Sequence, residues 1–152
     1  MPVNNRLSDD WSRITLDTKN PEEIDILFDG EVCGYMLINL DKNINKKAFF
    51  KQHDEQQELT ELMSTVPDNY RFNYYYLDYL KLNANMRGKG YGGIILSKWY
   101  ATLKPPAMVG VLPTRIANVS RDSLVKFYAR CGFKMMRERG GAYFGITFIK
   151  SK

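Results

Sequence analysis

Met86-Arg87-Gly88-Lys89-Gly90-Tyr91-Gly92-Gly93 places four glycines among six residues and sets Arg87 and Lys89 beside them. The run "IILSKWYATL" that follows reads as a helix. The first backbone N–H groups of a helix have no partner inside it, and the macrodipole puts partial positive charge there. Glycines let a ligand approach that backbone without Cβ clashes. The chemistry of such a segment is anion binding, of phosphate above all. A P-loop needs G-x-x-x-x-G-K-[ST], a spacing this stretch lacks. Gly88, Gly90 and Gly93 match G-x-G-x-x-G formally, but residues 110–114 supply no acid for a dinucleotide ribose. Asp78 lies amid aromatic residues on the segment that leads into the glycines, where burial would be costly without a use or a partner. Tyr70, Tyr74, Tyr75, Tyr76 and Tyr79 either line a pocket for a cation or pack both faces of a central strand. His53 is the single histidine and reads as a solvated residue in a charged helical stretch. Cys33 and Cys131 have no metal or redox spacing, which predicts free thiols in a reducing, cytoplasmic compartment, with no metal.

The elements that must position these groups follow from periodicity and turn chemistry. "SRITLD" (12–17) predicts a short strand. "IDILF" and "VCGYMLINL", joined through Asp29-Gly30, predict a hairpin. Ala48, Phe49 and Gln52, then Leu59, Leu62 and Met63, recur at helical spacing and predict one or two helices within 42–66. "YRFNYYYLDYLKL" (70–82) predicts the longest strand. A helix over about Gly92–Leu103 is stopped by Pro105-Pro106. "AMVGVL" (107–112) predicts a buried strand, parallel to and beside 70–82, because a helical crossover joins them. Ser120 opens a last helix and Gly132 closes it. "FKMMRER" and "AYFGITFI" predict a final hairpin across Gly140-Gly141. The expected class is a mixed α/β (α+β) fold in one domain spanning 1–152.

The chain of 152 residues is long enough for a real core. No apolar run approaches a membrane span, and "MPVNNRLSDDW" is too polar and acidic for a signal peptide. From residue 81 onward the net charge is +12, Asp122 and Glu138 being the only acids, while the first 80 residues carry −7. That asymmetry predicts a polyanionic partner for the C-terminal half and a cationic one for the N-terminal half, unless the halves intermix in space.

Arg87-Gly88-Lys89-Gly90-Tyr91-Gly92 fits [Q/R]-x-x-G-x-[G/A] and resembles the coenzyme A pyrophosphate loop of the GNAT superfamily of N-acetyltransferases. "LKLNANMRGKGYG" is similar to the end of that family's strand before the loop, and "SLVKFYARCGFK" to its second signature, with Phe127, Tyr128, Gly132 and Phe133 in place. The two motifs occur in the family's order, and the resemblance covers about residues 74–148.

The resemblance implies a mostly antiparallel sheet with a central V-shaped splay, flanked by helices. Acetyl-CoA would be the acyl donor, its pantetheine arm along the strand edge at Leu80, Lys81 and Leu82. Backbone groups of Gly88, Lys89, Gly90, Tyr91, Gly92 and Gly93, beside Arg87, would hold the pyrophosphate, and Asn118 or Ser120 would contact the arm. Tyr128 resembles the family's general acid, and Asp78 stands on the strand where the family often has a base or water relay. The implied activity is acetyl transfer to a primary amine: a small amine, a lysine side chain or a protein N-terminus. Aminoacyl-tRNA as acceptor, and a non-catalytic binding or inhibitor protein on the same scaffold, are the alternatives. A homodimer fits the family, and no membrane partner is expected. The family usually carries two helices between its first strand and the hairpin; here only "TKNPEE" occupies that gap, and the helical insertion over about 42–66 comes later.

Overall fold

The computed structural model describes residues 10–53, 57–111, 113, 120–137 and 143–149. The strands are β1 (Ile14–Asp17), β2 (Glu23–Phe28), β3 (Glu31–Ile44), β4 (Phe72–Leu82), β5 (Ala107–Val111), β6 (Lys134–Arg137) and β7 (Tyr143–Ile149). The helices are α1 (Lys46–Gln52), α2 (Gln57–Met63), α3 (Tyr91–Thr102) and α4 (Arg121–Arg130), with a 3-10 turn at Ala84–Met86 and helical residues at 10–13. Strands pair in the order β1-β2-β3-β4-β5-β7-β6, so β4 and β5 are neighbours as the crossover requires. The pairs β1–β2, β2–β3, β5–β7 and β6–β7 are antiparallel. The mixed, mostly antiparallel sheet with helices is the class expected from the sequence.

The chain forms two compact units, Met1–Asn39 with Leu77–Leu103 and Leu40–Tyr76 with Lys104–Lys152. β3 and β4 each run from one unit into the other. The acidic and basic halves of the sequence therefore do not map onto two bodies: acidic residues 1–39 share a unit with Lys81, Arg87, Lys89 and Lys98.

In the first unit, Asp29 and Gly30 both take positive φ (52° and 83°), the conformation a tight hairpin turn demands. Arg13 clamps that turn, its Nε donating to Asp29 Oδ1 at 2.9 Å while its guanidinium lies 4.3 Å over Phe28. Ser12 and Arg13 are helical and β1 begins at Ile14, two residues later than its alternation suggests. α3 buries Tyr91, Ile94, Ile95, Leu96 and Trp99, more than one face, and packs against β1. Residues 18–22 contain no helix, as the sequence implied.

In the second unit, β3 continues to Ile44, so the insertion is shorter than the expected 42–66 and begins where Asn45 caps α1 by accepting from Ala48 N–H. Near the end of β3, Asn43 takes a positive φ (55°), and its N–H donates to Asn73 Oδ1 of β4 at 2.9 Å. Phe49, Leu59 and Met63 from α1 and α2 join Phe72 and Tyr74 of β4, Met108 of β5, and Phe144 and Ile146 of β7 in one buried cluster. α4 closes in a full Schellman motif: Phe133 N–H donates to Tyr128 C=O and Gly132 N–H to Ala129 C=O, both at 3.1 Å, with Gly132 at φ 99°. The Tyr128 and Phe133 rings meet edge to face at 5.7 Å. "FYARCGF" is thus a helix terminus that fixes Tyr128 in place. Among the described residues, no helix is long and apolar enough to cross a membrane.

Candidate acyl-donor site

The phosphate-loop candidate belongs entirely to the first unit. β4 ends at Leu82, the 3-10 turn follows, and Gly88 (φ 74°) and Gly90 (φ 82°) turn the chain through left-handed conformations into α3. A side chain at either position would be strained. Gly90 is the N-cap residue, and no side chain caps the helix. The start of α3 therefore presents backbone donors and the positive dipole end with no carboxylate or hydroxyl supplied by the loop. Among the described residues, a Cβ built at Gly88 or at Gly93 meets nothing within 4 Å. These residues fit a diphosphate. Tyr91 contributes only backbone: its ring is buried against Phe28 at 5.5 Å.

Arg87 is exposed, and its Nε–H donates to the Leu82 carbonyl at 2.9 Å, tying the loop back to the end of β4. Lys89 is exposed. Asn83 N–H donates to the Cys33 carbonyl of β3 at 2.8 Å. By strand alternation Lys81 also turns its backbone toward β3, while Leu80 and Leu82 turn theirs away. Of the three expected edge residues, then, Leu80 and Leu82 face the other side, and the Leu82 carbonyl already accepts from Arg87.

Asp78 is exposed, so the burial cost anticipated from its aromatic neighbours does not arise. Partial desolvation still raises its carboxyl above the usual range. Tyr74, Tyr75 and Leu77 are buried while Tyr76 and Tyr79 are half-buried, so most of the aromatic run is core of the strand.

In the second unit, Tyr128 is buried, 7% exposed, and burial pushes its phenol up to about 12. Ser120 is the N-cap of α4, its Oγ accepting from Ser123 N–H at 3.2 Å. Asn118, Leu112 and the Gly140-Gly141 turn lie outside the described residues. Cys33 and Cys131 are free thiols, with burial raising both. No metal-ligating cluster occurs among the described residues. A groove of about 560 Å³ among Lys46, Phe50, Thr60 and Ser64 lies in the insertion and contains none of the expected site residues.

His53 corrects the sequence reading. It is half-buried at the C-cap of α1, hydrogen-bonded to Tyr74 at 2.6 Å and stacked on Phe144. No spacing in the sequence announces this pairing, since Tyr74 lies 21 residues away on another element.

The fold is that of acetyltransferases of known structure. No family model matches the sequence, and no curated protein matches it. Among solved structures, an acetyltransferase from Thermus thermophilus is 14% identical at a TM-score of 0.50, over 86% of this chain and 67% of that one. An Arabidopsis thaliana protein in complex with the bisubstrate analogue CoA-Ac-MVNAL is 14% identical at 0.50, over 99% of this chain and 85% of that one. Arabidopsis thaliana NAA60 in complex with acetyl-CoA is 14% identical at 0.50, over 84% and 76%.

Proposed function

We propose that this protein is an acetyl-CoA-dependent N-acetyltransferase, one acyltransferase domain that moves the acetyl group to a primary amine. The observation that carries the reading is the start of α3, entered through two left-handed glycines and capped by no side chain, on this fold. The N–H groups of the loop from Gly88 to Gly93 hold the pyrophosphate, with Arg87 and Lys89 adding charge. The edge of β4 at Leu80 and Leu82 receives the pantetheine arm where the sheet splays, and Asn118 or Ser120 contacts it. Bound acetyl-CoA supplies the activated carbonyl. That two similar structures carry a CoA-peptide analogue and acetyl-CoA supports the donor.

The Tyr128 phenol, at about 12, keeps its proton at every working pH. Tyr128 is the general acid that protonates the departing sulfur. Asp78, exposed and with a raised carboxyl, acts as a proton relay near the acceptor.

Calorimetry with acetyl-CoA tests the donor, and a thiol-release screen over small amines, lysine peptides and N-terminal peptides tests the acceptor. Micromolar binding and turnover of at least one amine are expected. Binding no tighter than millimolar, unaffected by Arg87→Glu, sinks the reading.

A further inference from the structure

We infer that the bare face of the β1-β2-β3 sheet is a docking surface for a basic amphipathic helix of a partner protein. All of its residues belong to the first unit. The surface stands apart from the acetyl-transfer reading, since the glycine loop supplies none of it.

The pairing register sorts the side chains of these strands onto two faces, because directly opposed residues of an antiparallel pair share one. Ile14 opposes Phe28, and Ile24 opposes Met36. That face is core: Ile14, Ile24, Ile26 and Met36 are buried, and Tyr91 of α3 lies against Phe28 at 5.5 Å. The other face pairs Leu27 with Val32, Asp25 with Tyr35, and Glu23 with Leu37. Tyr79 of β4 joins it, with its ring 5.9 Å from that of Tyr35. Residues 18–22 join β1 to β2 without a helix that could cover this side. Val32 is 58% exposed and Leu37 38%, and they are the exposed large aliphatic residues among those described. Single exposed apolar side chains are ordinary, but these two share one face of one strand with half-buried Leu27, Tyr35 and Tyr79.

Charge selects the occupant. Glu23 and Asp25 stand beside the apolar strip, and Asp17 of β1 directly opposes Asp25. Like charges so opposed destabilise a strand pair. All three carboxylates are exposed, and among the described residues none is in an ion pair. Alternation puts Lys81 of β4 on the face with Tyr79, so the carboxylates outnumber the cation there. A second copy docking by this same face would set carboxylates against carboxylates, and an anionic membrane would be repelled likewise. A cationic partner relieves the repulsion between Asp17 and Asp25, and the Tyr35 and Tyr79 rings attract it further. A sheet with a helix on one side completes its layers with a helix on the other. Side chains four apart on a helix lie about 6 Å apart, close to the roughly 7 Å between alternate residues of a strand. Lysines or arginines at i and i+4 therefore meet Glu23 and Asp25, while the adjoining apolar stripe covers Tyr35, Leu37 and Val32.

The probe is a synthetic amphipathic helix of about 18 residues, with leucines on one face and lysines on the other, beside a leucine–glutamate counterpart. Calorimetry and amide-shift mapping use the full chain. Wild type is expected to bind the lysine helix and not the glutamate helix, with shifts confined to residues 15–37 and 79–81. Affinity should fall at least about threefold between low salt and about 0.5 M. Glu23→Lys with Asp25→Lys should weaken the lysine helix about tenfold or more and admit the glutamate helix. Val32→Asn with Leu37→Asn should weaken the lysine helix about tenfold while keeping its salt dependence. The four side chains are exposed, so both variants should keep a thermal midpoint within a few degrees of wild type. Failure of wild type to bind the lysine helix, shifts mapping elsewhere, or a charge-reversed variant that still prefers lysine overturns the proposal. A wild-type dimer that Val32→Asn with Leu37→Asn dissociates also overturns it, because a second copy is then the occupant.

Discussion

Gly93→Ala separates the backbone role of the glycine loop from its flexibility. Gly93 is the third residue of α3, and a Cβ built there meets nothing within 4 Å. Its φ lies outside the left-handed range, unlike those of Gly88 and Gly90. Alanine therefore fits without strain, restricts the unfolded chain and improves helix propensity, which together stabilise by about 0.4–1 kcal/mol. For a chain of this length that corresponds to a rise in Tm of about 1–4 °C. The proposed cradle uses the N–H of residue 93, which alanine retains, so acetyl-CoA affinity should change by less than about threefold. Gly90→Ala is the opposing arm. At φ 82° a Cβ costs about 1–2 kcal/mol, so Tm falls by about 2–8 °C and the turn into α3 is displaced. Acetyl-CoA affinity should then drop by about tenfold or more, as expected when the aim of several donors is lost together. Thermal unfolding and calorimetry on the same samples read both arms. A lower Tm for Gly93→Ala, or wild-type acetyl-CoA affinity for Gly90→Ala, refutes the geometry on which the cradle is argued.

Tyr128→Phe should lower kcat by about 10–10³-fold with acetyl-CoA affinity unchanged, and equal turnover by both proteins would return Tyr128 to the core alone. Because its phenol stands at about 12, wild-type kcat should show no alkaline fall attributable to Tyr128 between pH 8 and about 10.5; a limb there that vanishes in Tyr128→Phe contradicts the burial. Arg87→Lys keeps the charge and loses the Nε–H bond to Leu82, so acetyl-CoA affinity should fall several-fold at any salt, whereas Lys89→Ala should weaken it about two- to fivefold and only at low ionic strength. Arg13 holds the Asp29 carboxyl below its ordinary value, so this clamp stabilises the fold fully above the ordinary carboxylate pKa of about 3.9 and is lost as pH falls through the lowered value. Both side chains are exposed, so unfolding midpoints of wild type and Asp29→Asn should differ slightly at pH 7, converge toward pH 2, and converge at pH 7 in molar salt.

The elements whose cause is local were legible in the sequence. Asp29-Gly30 marks the β2–β3 turn, Ser120 the start of α4 and Gly132 its end, because each depends on the backbone preferences of one or two residues. The glycine loop was legible for the same reason, and the second motif proves to be a Schellman terminus written in adjacent residues. What depends on distant partners was not. Alternation put Asp78 on a face but could not say that the face is exposed there. Periodicity placed α1 and α2 without showing that β3 runs on to Ile44 before them. The edge residues 80–82 looked equivalent until the bond from Asn83 to Cys33 fixed which of them turn toward β3. His53 had only polar and charged residues beside it in the sequence, and its stack on Phe144 and bond to Tyr74 join segments 91 and 21 residues away. The sequence alone determined the class of fold and the turns that one or two residues set, since turn chemistry is local. Only the tertiary structure decided which side chains are buried and which ring faces the lone imidazole, because those are set by packing between segments far apart in the chain.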